Sequence, residues 1–189
     1  MKLVRIRAAH VTELPVLQAI ERAAGRMFCD IGMPQIAECD PWPLPVMAGS
    51  QQAGRLWVVA DDAGEPVAYL MAGLVDGCMQ IEQVTVHPDS ARQGLGRALL
   101  DYAAGRAAAD GLPALTLTTF AHVPWNAPYY ARCGFRVLDD AELTPGLRVI
   151  RQRKPRLAWT SGRGCACAAT CEAIAVRATA WCRCPLSSR

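Results

Sequence analysis

Apolar and polar side chains alternate along the first residues of the chain and then recur at helical spacing. Residues 3–8 alternate in the manner of a strand. The apolar positions that follow recur every three or four residues and are Leu14, Leu17, Ile20 and Ala24. We therefore expect a strand and then an amphipathic helix. Four prolines interrupt the pattern between Phe28 and Ser50, so any helix there is predicted to be short, with a loop over residues 40–45 as a candidate cover for a binding cleft.

The middle of the chain predicts three strands. Residues 55–60 and 67–75 are rich in apolar side chains, and the turn-forming residues 62–66 separate them, which indicates a β-hairpin. Gly77 then turns the chain into a further strand, which ends at Val86.

A helix and another strand follow. The helix carries an apolar stripe formed by Leu95, Ala98, Leu99, Tyr102 and Ala103. It is predicted to end near Gly111, before a strand over residues 114–120. Because a helix separates this strand from the one that ends at Val86, the two strands should be parallel, with a right-handed crossover.

The pattern ends with a short helix and two strands. Residues 127–133 are predicted to be helical, with Asn126 at the N-cap and Gly134 as the C-terminal stop. Residues 135–138 and 147–153 are predicted as two closing strands.

Length and composition indicate one domain and a tail. A chain of 189 residues with 52% hydrophobic side chains can bury one substantial core. We predict an α/β domain over residues 1–154, followed by a Cys- and Arg-rich tail over residues 155–189 in which the periodicity disappears. Three interpretations of the tail stay open: a disordered extension, an appendage that binds a partner or a metal, and a C-terminus read out of frame. The first and third are favoured.

Charge is distributed unevenly along the chain. Residues 151–189 hold 8 Lys and Arg against one acid, which leaves 12 basic and 16 acidic residues before them. Because that body has no basic face, nucleic-acid binding is not expected. The chain has no apolar run of about 18 residues and no apolar core of a secretory signal near its start, so we expect a cytoplasmic protein without a membrane partner.

Cysteines crowd the tail without forming a recognisable metal site. Five of the nine lie in the last 25 residues, where there is no CxxC pair and no histidine. We therefore expect no metal cofactor.

A strand, a turn and a helix carry the most informative motif. The strand that ends at Val86 is stopped by Pro88, and Gly94-x-Gly96 opens the helix. Unpaired backbone N–H groups and the helix dipole favour a pyrophosphate there. A dinucleotide fingerprint would need glycine at position 99, where Leu99 stands, and no GxxxxGK[ST] motif occurs. A different phosphate-bearing ligand is implied.

The chain resembles the GNAT superfamily of N-acetyltransferases over about residues 2–153. Residues 91–96 are similar to that family's pyrophosphate loop, [Gln/Arg]-x-x-Gly-x-[Gly/Ala], which follows a strand ending in Val-x-Pro. Residues 130–135 are similar to its Tyr-x-x-x-Gly-Phe element. Ala91 departs from the loop pattern, although Arg92 stands beside it. Val123 stands where the family often has an Asn.

The resemblance implies a GNAT-like fold and acetyl-CoA as co-substrate. The fold would be a mixed, mostly antiparallel central sheet with a splayed parallel strand pair and helices on both faces. The splayed strands would be those that end at Val86 and Phe120, and a backbone N–H on the first would stabilise the oxyanion. The cofactor-binding residues would be Val84, Thr85, Val86, Arg92, Gln93, Gly94, Leu95, Gly96, Arg97 and Asn126. For Asn126 a purely structural role as helix cap stays open.

The same resemblance implies two catalytic residues. Glu82 would be the general base, on one side of its strand with Val84 and Val86; the alternative is a carboxylate that faces solvent or pairs with an Arg. Direct proton transfer from an alkyl ammonium to an ordinary Glu is uphill by roughly 6 pKa units, about 8 kcal/mol, so a perturbed site or a water relay is needed. Tyr130, favoured over Tyr129 by its spacing to Gly134, would protonate the departing thiolate; the alternative is a core tyrosine.

The predicted activity is direct acetyl transfer from acetyl-CoA to a primary amine of a small molecule or peptide, without metal or covalent enzyme intermediate. One alternative is a CoA-binding regulatory or sensor module without turnover, and another is a Cys-rich metal-binding protein. The acceptor region, residues 28–50, carries no decisive charge pattern. Aromatic residues that would either line the acceptor pocket or simply pack are Phe28, Trp42 and Trp125. The oligomeric state stays open, with a homodimer as one alternative.

Overall fold

The chain forms a seven-stranded mixed sheet with helices on both faces. The computed structural model describes residues 5–121, 123–157 and 171–177. The strands are β1 Arg5–Ala8, β2 Leu56–Ala60, β3 Pro66–Val75, β4 Cys78–Val86, β5 Ala114–Phe120, β6 Arg136–Val137 and β7 Cys171–Arg177. The helices are α1 Leu14–Gly25, α2 Pro34–Ala37, α3 Leu44–Gln52, α4 Leu95–Ala109, α5 Ala127–Arg132 and α6 Pro145–Leu157.

The strand order is β1-β2-β3-β4-β5-β7-β6, and only the β4–β5 pair is parallel. Helix α4 forms the crossover between these two strands, as a parallel pair requires. The predicted hairpin, the parallel pair and the mostly antiparallel sheet are all confirmed.

Two apolar clusters cover the two faces of the sheet. On one face, α1 buries Leu14, Leu17 and Ile20 against Tyr69 and Met71 of β3. On the other face, the buried side of α4 packs against β3, β4 and β5 and consists of Leu95, Leu99, Leu100, Ala103, Ala104 and Ala107. We call these the α1 face and the α4 face. Each fully buried Leu stabilises the fold by about 1.5–3 kcal/mol.

The prediction of a second closing strand over residues 147–153 is wrong. Residues 147–153 lie in helix α6, which starts at Pro145 behind Thr144, whose hydroxyl accepts the N–H of Leu147 at 3.4 Å. A threonine cap followed by proline is a typical helix start. Leu147 on this helix and Leu143 just before it are both buried and belong to one small apolar cluster.

The actual closing strand lies in the tail, where we predicted no element. Strand β7 inserts between β5 and β6, and it pairs antiparallel with both. The other predictions for the tail concern mainly residues 158–170 and 178–189, which lie outside the described residues, as do residues 3 and 4 of the first predicted strand.

The predicted loop over residues 40–45 is shorter than expected. Helix α3 already begins at Leu44, with Pro45 in its first turn, where proline is tolerated because its missing N–H would have no helical partner. In the described residues, no helix combines the length and the apolar character needed to cross a membrane.

Candidate active site

The two parallel strands separate towards one end of the sheet. Their pairing covers only Met79 to Ile81 on β4 and Leu115 to Leu117 on β5. Beyond that point β4 continues to Val86 and β5 to Phe120 without pairing to each other. The strands thus form a fork whose arms are residues 82–86 and 118–120.

A buried hydrogen bond joins the strands at the base of the fork. The Thr116 hydroxyl donates to Oε1 of Gln80 at 2.6 Å, and both side chains are buried. Nε2 of Gln80 donates to the Ile81 carbonyl at 3.2 Å. Gln80 and Thr116 are paired one residue before the ladder ends at Ile81 and Leu117. Since a buried polar group is costly without partners, this hydrogen bond stabilises the base of the fork.

A β-bulge sits at Glu82, the first residue of the β4 arm. Met71 of β3 pairs with Gln83, and Ala72 pairs with Ile81, so Glu82 is the extra residue of β4 at this shift in register. The bulge changes which side chains share a face. Val84 and Val86 pack with the α4 cluster.

The side chain of Glu82 points to the other face. Its Oε1 lies 3.4 Å from the point that a Cβ on Gly73 would occupy, and Gly73 alternates along β3 with Tyr69 and Met71 of the α1 face. The prediction that Glu82 shares a side with Val84 and Val86 is therefore wrong, because the extra residue breaks the alternation. Its carboxylate, half-buried, lies on the α1 face.

The turn between β4 and α4 has the geometry of an anion-binding loop. After a 3₁₀ turn at Pro88–Ser90, Arg92 and Gly94 both adopt left-handed backbone conformations, with φ of 61° and 77°. Successive turns of this kind orient backbone N–H groups towards one point. In the described part of the chain, no acceptor pairs with the N–H groups of residues 93–96. Ala98 N–H makes the first helical bond, to Gly94 O at 3.0 Å.

The start of α4 is closely approached by α5. A Cβ on Gly96 would lie 3.2 Å from the Tyr129 hydroxyl and 3.8 Å from Cγ2 of Val86. Arg97 connects the same two helices: its Nη1 donates to the Arg132 carbonyl at 3.3 Å and its Nε to Asp101 at 2.9 Å. The Arg97 guanidinium is thus engaged within the protein, whereas Arg92 is exposed.

Tyr130 lies in an aromatic cluster on the α4 face of the sheet. Its ring contacts Tyr129 and Phe135 edge to face, at centroid distances of 5.5 and 5.7 Å. Burial raises the pKa of Tyr130 well above that of a free tyrosine, and nearby Tyr129 and Cys133 raise it further. Burial likewise raises the pKa of Tyr129. Both hydroxyls therefore stay protonated at neutral pH.

Asn126 occupies the predicted N-cap position, but its side chain does not cap α5. No side-chain hydrogen bond to the helix start forms, because the backbone angles of Asn126, φ −110° and ψ −112°, are not those of an ordinary cap. Its carbonyl instead accepts the N–H of Tyr130 at 2.9 Å. Asn126 thus fixes the backbone of the candidate acid.

The segment between α1 and α3 reaches the end of the fork. Phe28 contacts Phe120, the last residue of β5, and Trp125, each at a centroid distance of 5.8 Å. Nε1 of Trp125 is buried and has no acceptor among the described residues. These two aromatics, whose role was open from the sequence, therefore pack together where β5 ends.

One candidate residue, Glu21, was not identified from the sequence. The Tyr69 hydroxyl donates to its Oε2 at 2.6 Å, and the Trp42 N–H reaches the same oxygen at 3.4 Å. Burial raises the pKa of Glu21, although both hydrogen bonds oppose that shift. A single glutamate on an amphipathic helix gives no signal in the sequence, because its partner Tyr69 lies 48 positions away.

The site therefore has two sides. The α4 face offers backbone N–H groups suited to phosphate oxygens, and the α1 face presents the carboxylates of Glu82 and Glu21. The fork opens the sheet between them. Such an arrangement can hold a phosphate-bearing ligand on one side and a nucleophile on the other.

Comparisons with known proteins agree with this geometry. A family model described as acetyltransferase (GNAT) family matches residues 18–135. N-acetylglutamate synthase from Neisseria gonorrhoeae, crystallised with coenzyme A and N-acetyl-glutamate, is similar with a TM-score of 0.67 and 17% identity over 94% of this chain and 35% of that chain. This chain thus spans about a third of the synthase.

Two smaller proteins are similar over nearly their whole length. The ribosomal-protein-S18-alanine N-acetyltransferase from Escherichia coli has a TM-score of 0.61 and 22% identity, with 93% of this chain and 94% of that chain covered. The PaiA N-acetyltransferase from Thermoplasma acidophilum, in complex with coenzyme A, has a TM-score of 0.64 and 13% identity, with 93% and 99% covered. At these identities the likeness is one of fold.

Proposed function

Because this chain belongs to the acetyltransferase (GNAT) family, we propose that it is an acetyl-CoA-dependent N-acetyltransferase that passes the acetyl group directly to a primary amine of a small molecule or peptide. The observation that carries the proposal is the fork between β4 and β5. On one face, backbone N–H groups at the start of α4 have no acceptor among the described residues, and on the other lies the Glu82 carboxylate.

The residues at the turn fit a pyrophosphate. The N–H groups of residues 93–96 have no acceptor among the described residues, and the lack of a side chain at Gly96 lets the start of α4 lie close to the Tyr129 hydroxyl and to Val86. Arg92, exposed beside this turn, adds positive charge. When bound, acetyl-CoA supplies the thioester whose acetyl group is transferred.

The arms of the fork would hold the reacting carbonyl. The ladder between β4 and β5 ends at Ile81 and Leu117, so backbone groups of Val84 to Val86 are available on that edge. A backbone N–H there would donate to the thioester oxygen as negative charge develops on it. The amine nitrogen forms the new C–N bond while the C–S bond breaks.

Glu82 and Tyr130 would handle the two protons. Glu82, on the α1 face, would accept the proton that the amine loses, directly or through water. Tyr130 stays protonated because burial raises its pKa, so it can donate a hydrogen bond or a proton to the departing thiolate. Full transfer from an ordinary tyrosine to a thiolate already costs about 2 kcal/mol, and it costs more from Tyr130 because its pKa is raised. Hydrogen-bond donation is therefore the role expected of Tyr130.

Calorimetry with acetyl-CoA, combined with an amine panel and detection of the released thiol, tests the proposal. We expect saturable acetyl-CoA binding and release of CoA with at least one primary amine. Failure to bind acetyl-CoA would overturn the proposal as a whole. Binding without CoA release across the panel would favour a CoA-binding sensor module instead.

A further inference from the structure

We propose that Glu21 binds a positive charge on the acceptor, so that the preferred substrate is an amine that carries a second cationic group. The inference rests on the proposed acetyl transfer and deepens it by naming the substrate class. It is carried by the hydrogen bonds of Glu21, by its place relative to the fork, and by the charge of the segment that covers this face.

The described residues donate hydrogen bonds to one oxygen of the Glu21 carboxylate and not to the other. Both the Tyr69 hydroxyl and the Trp42 N–H donate to Oε2. Oε1 accepts no hydrogen bond from the described residues, and it is not among the side-chain atoms enclosed without a partner. A half-buried carboxylate held by one oxygen presents the other to a ligand in a fixed position.

A chain of polar side chains connects Glu21 to the fork. Tyr69 pairs in register with Thr85 on the β4 arm. The Thr85 hydroxyl accepts Nε2 of Gln83 at 2.6 Å. Glu21 is therefore one tyrosine away from the strand whose backbone would face the thioester, on the face to which the bulge turns Glu82.

The segment that covers this face is acidic between Arg26 and Arg55, although its charge pattern was not decisive in the sequence analysis. Arg22, next to Glu21 in the chain, opposes this negative charge. Residues 27–54 contain three carboxylates, Asp30, Glu38 and Asp40, and no Lys or Arg. One end of this segment is tied to β5 by Phe28, and the middle is tied to α1, because Gln18 Nε2 donates to the Trp42 carbonyl at 2.8 Å. Its negative field favours a cationic ligand over a neutral or anionic one.

The chemistry assigns different tasks to the two carboxylates. The reacting nitrogen must be neutral when it attacks, so a carboxylate that holds it as an ammonium would oppose the reaction. Glu82, at the root of the β4 arm, is placed to take the proton from that nitrogen. Glu21, fixed from α1, is left to bind a second group that stays protonated during the reaction and thereby to orient the acceptor.

Glu21→Gln separates charge from structure, since glutamine keeps the length and an oxygen that accepts from Tyr69. The probes are 1,4-diaminobutane and n-butylamine, which differ in the second charge. We expect kcat/KM for the diamine to fall at least about tenfold, mainly through KM, because hydrogen bonds to charged groups are among the stronger ones. Values for n-butylamine and the KM for acetyl-CoA should change less than about twofold, within the range of an uninvolved site.

Two further variants complete the design. Tyr69→Phe removes a hydrogen bond but keeps the carboxylate, so the preference for the diamine should survive. Glu65→Gln removes an exposed charge in the β2–β3 turn and should leave both amines unaffected.

The outcomes distinguish this inference from the proposed function. Equal losses for both amines in Glu21→Gln, or a wild-type enzyme without preference for the diamine, would overturn the role of Glu21 and leave acetyl transfer intact. Acetyl-CoA binding with turnover of neither probe would overturn the substrate class. Absence of acetyl-CoA binding would instead remove the proposed function itself.

Discussion

The Tyr129 hydroxyl stands so near Gly96 that a Cβ at that position would lie only 3.2 Å from it. A side chain there must push the tyrosine aside at the point where the first turn of α4 faces the fork. The backbone of Gly96 is helical and needs no positive φ. The close approach of the Tyr129 hydroxyl is therefore the reason for a glycine at this position.

Gly96→Ala should weaken acetyl-CoA binding by about tenfold, roughly 1.4 kcal/mol, as measured by calorimetry. Gly105 is the matched control in the same helix: it is exposed, and a Cβ there meets nothing within 4 Å. Gly105→Ala should raise stability by about 0.5–1 kcal/mol and leave binding unchanged. Equal binding by the two variants would contradict the close-approach argument.

Tyr130→Phe should lower kcat by about 100-fold, the lower range for a positioned acid, with little change in KM. Tyr129→Phe should instead affect mainly the KM for acetyl-CoA, because its hydroxyl lies at the start of α4. Since burial raises the pKa of Tyr130, its deprotonation should not reduce the wild-type rate up to about pH 10. Steady-state kinetics would refute the assignment if the two variants behaved alike.

Glu82→Gln should also lower kcat by about 100-fold for an alkylamine whose ammonium has a pKa near 10.4. The defect should shrink for an amine of low pKa, which is largely neutral before it binds. Parallel assays with ethylamine and 2,2,2-trifluoroethylamine provide the comparison. A defect of the same size for both amines would point to a structural role for the carboxylate.

Thr116→Val should destabilise the protein by about 1–3 kcal/mol, because it leaves Oε1 of buried Gln80 without its donor. The double variant Gln80→Met/Thr116→Val removes both partners and should recover much of that loss. Urea denaturation followed by circular dichroism measures both. If the double variant loses as much stability as the two single variants added together, Gln80 and Thr116 do not act as a unit.

Glu13→Gln should cost about 1 kcal/mol of stability at pH 7. The Glu13 carboxylate accepts from Arg7 at 2.9 and 2.6 Å and from the His10 N–H at 2.7 Å, and the Arg7 hydrogen bonds lower its pKa below the ordinary 4.5. A depressed pKa contributes stability above the unfolded value and loses it as the pH falls through the folded one. The difference between wild type and variant should thus narrow below about pH 4.5 in thermal melts, and a constant difference would argue against the ion pair.

Local signals were enough to predict much of the fold. Strand β5 was predicted from the sequence with the bounds that the structure has, 114–120. A glycine and a proline lie just before the segment, and its own residues are all apolar or β-branched. The fork followed from the helix between two strands together with the family resemblance. The roles of the site residues remain predictions.

Some features could not be predicted from local signals because they depend on residues that are distant in the sequence. The bulge at Glu82 exists only relative to β3, so no pattern within residues 78–86 indicates that the alternation shifts there. Residues 147–153 are a different case: they fit a strand or a helix by periodicity, and a local signal, the helix start at Thr144-Pro145, distinguishes the two. Glu21 can be recognised as a candidate only from its hydrogen bond with Tyr69, which is distant in the sequence.

The place of β7 in the sheet has a consequence for synthesis on the ribosome. The strand that forms one arm of the fork, β5, pairs on its outer side with a segment that begins only at Cys171. Until that segment has left the exit tunnel, the outer edge of β5 is an open edge, the kind of surface on which nascent chains associate wrongly. The cleft therefore assembles late in synthesis. Its assembly requires β5 and β7 to pair across many residues of sequence, and such a pairing forms more slowly than a local contact.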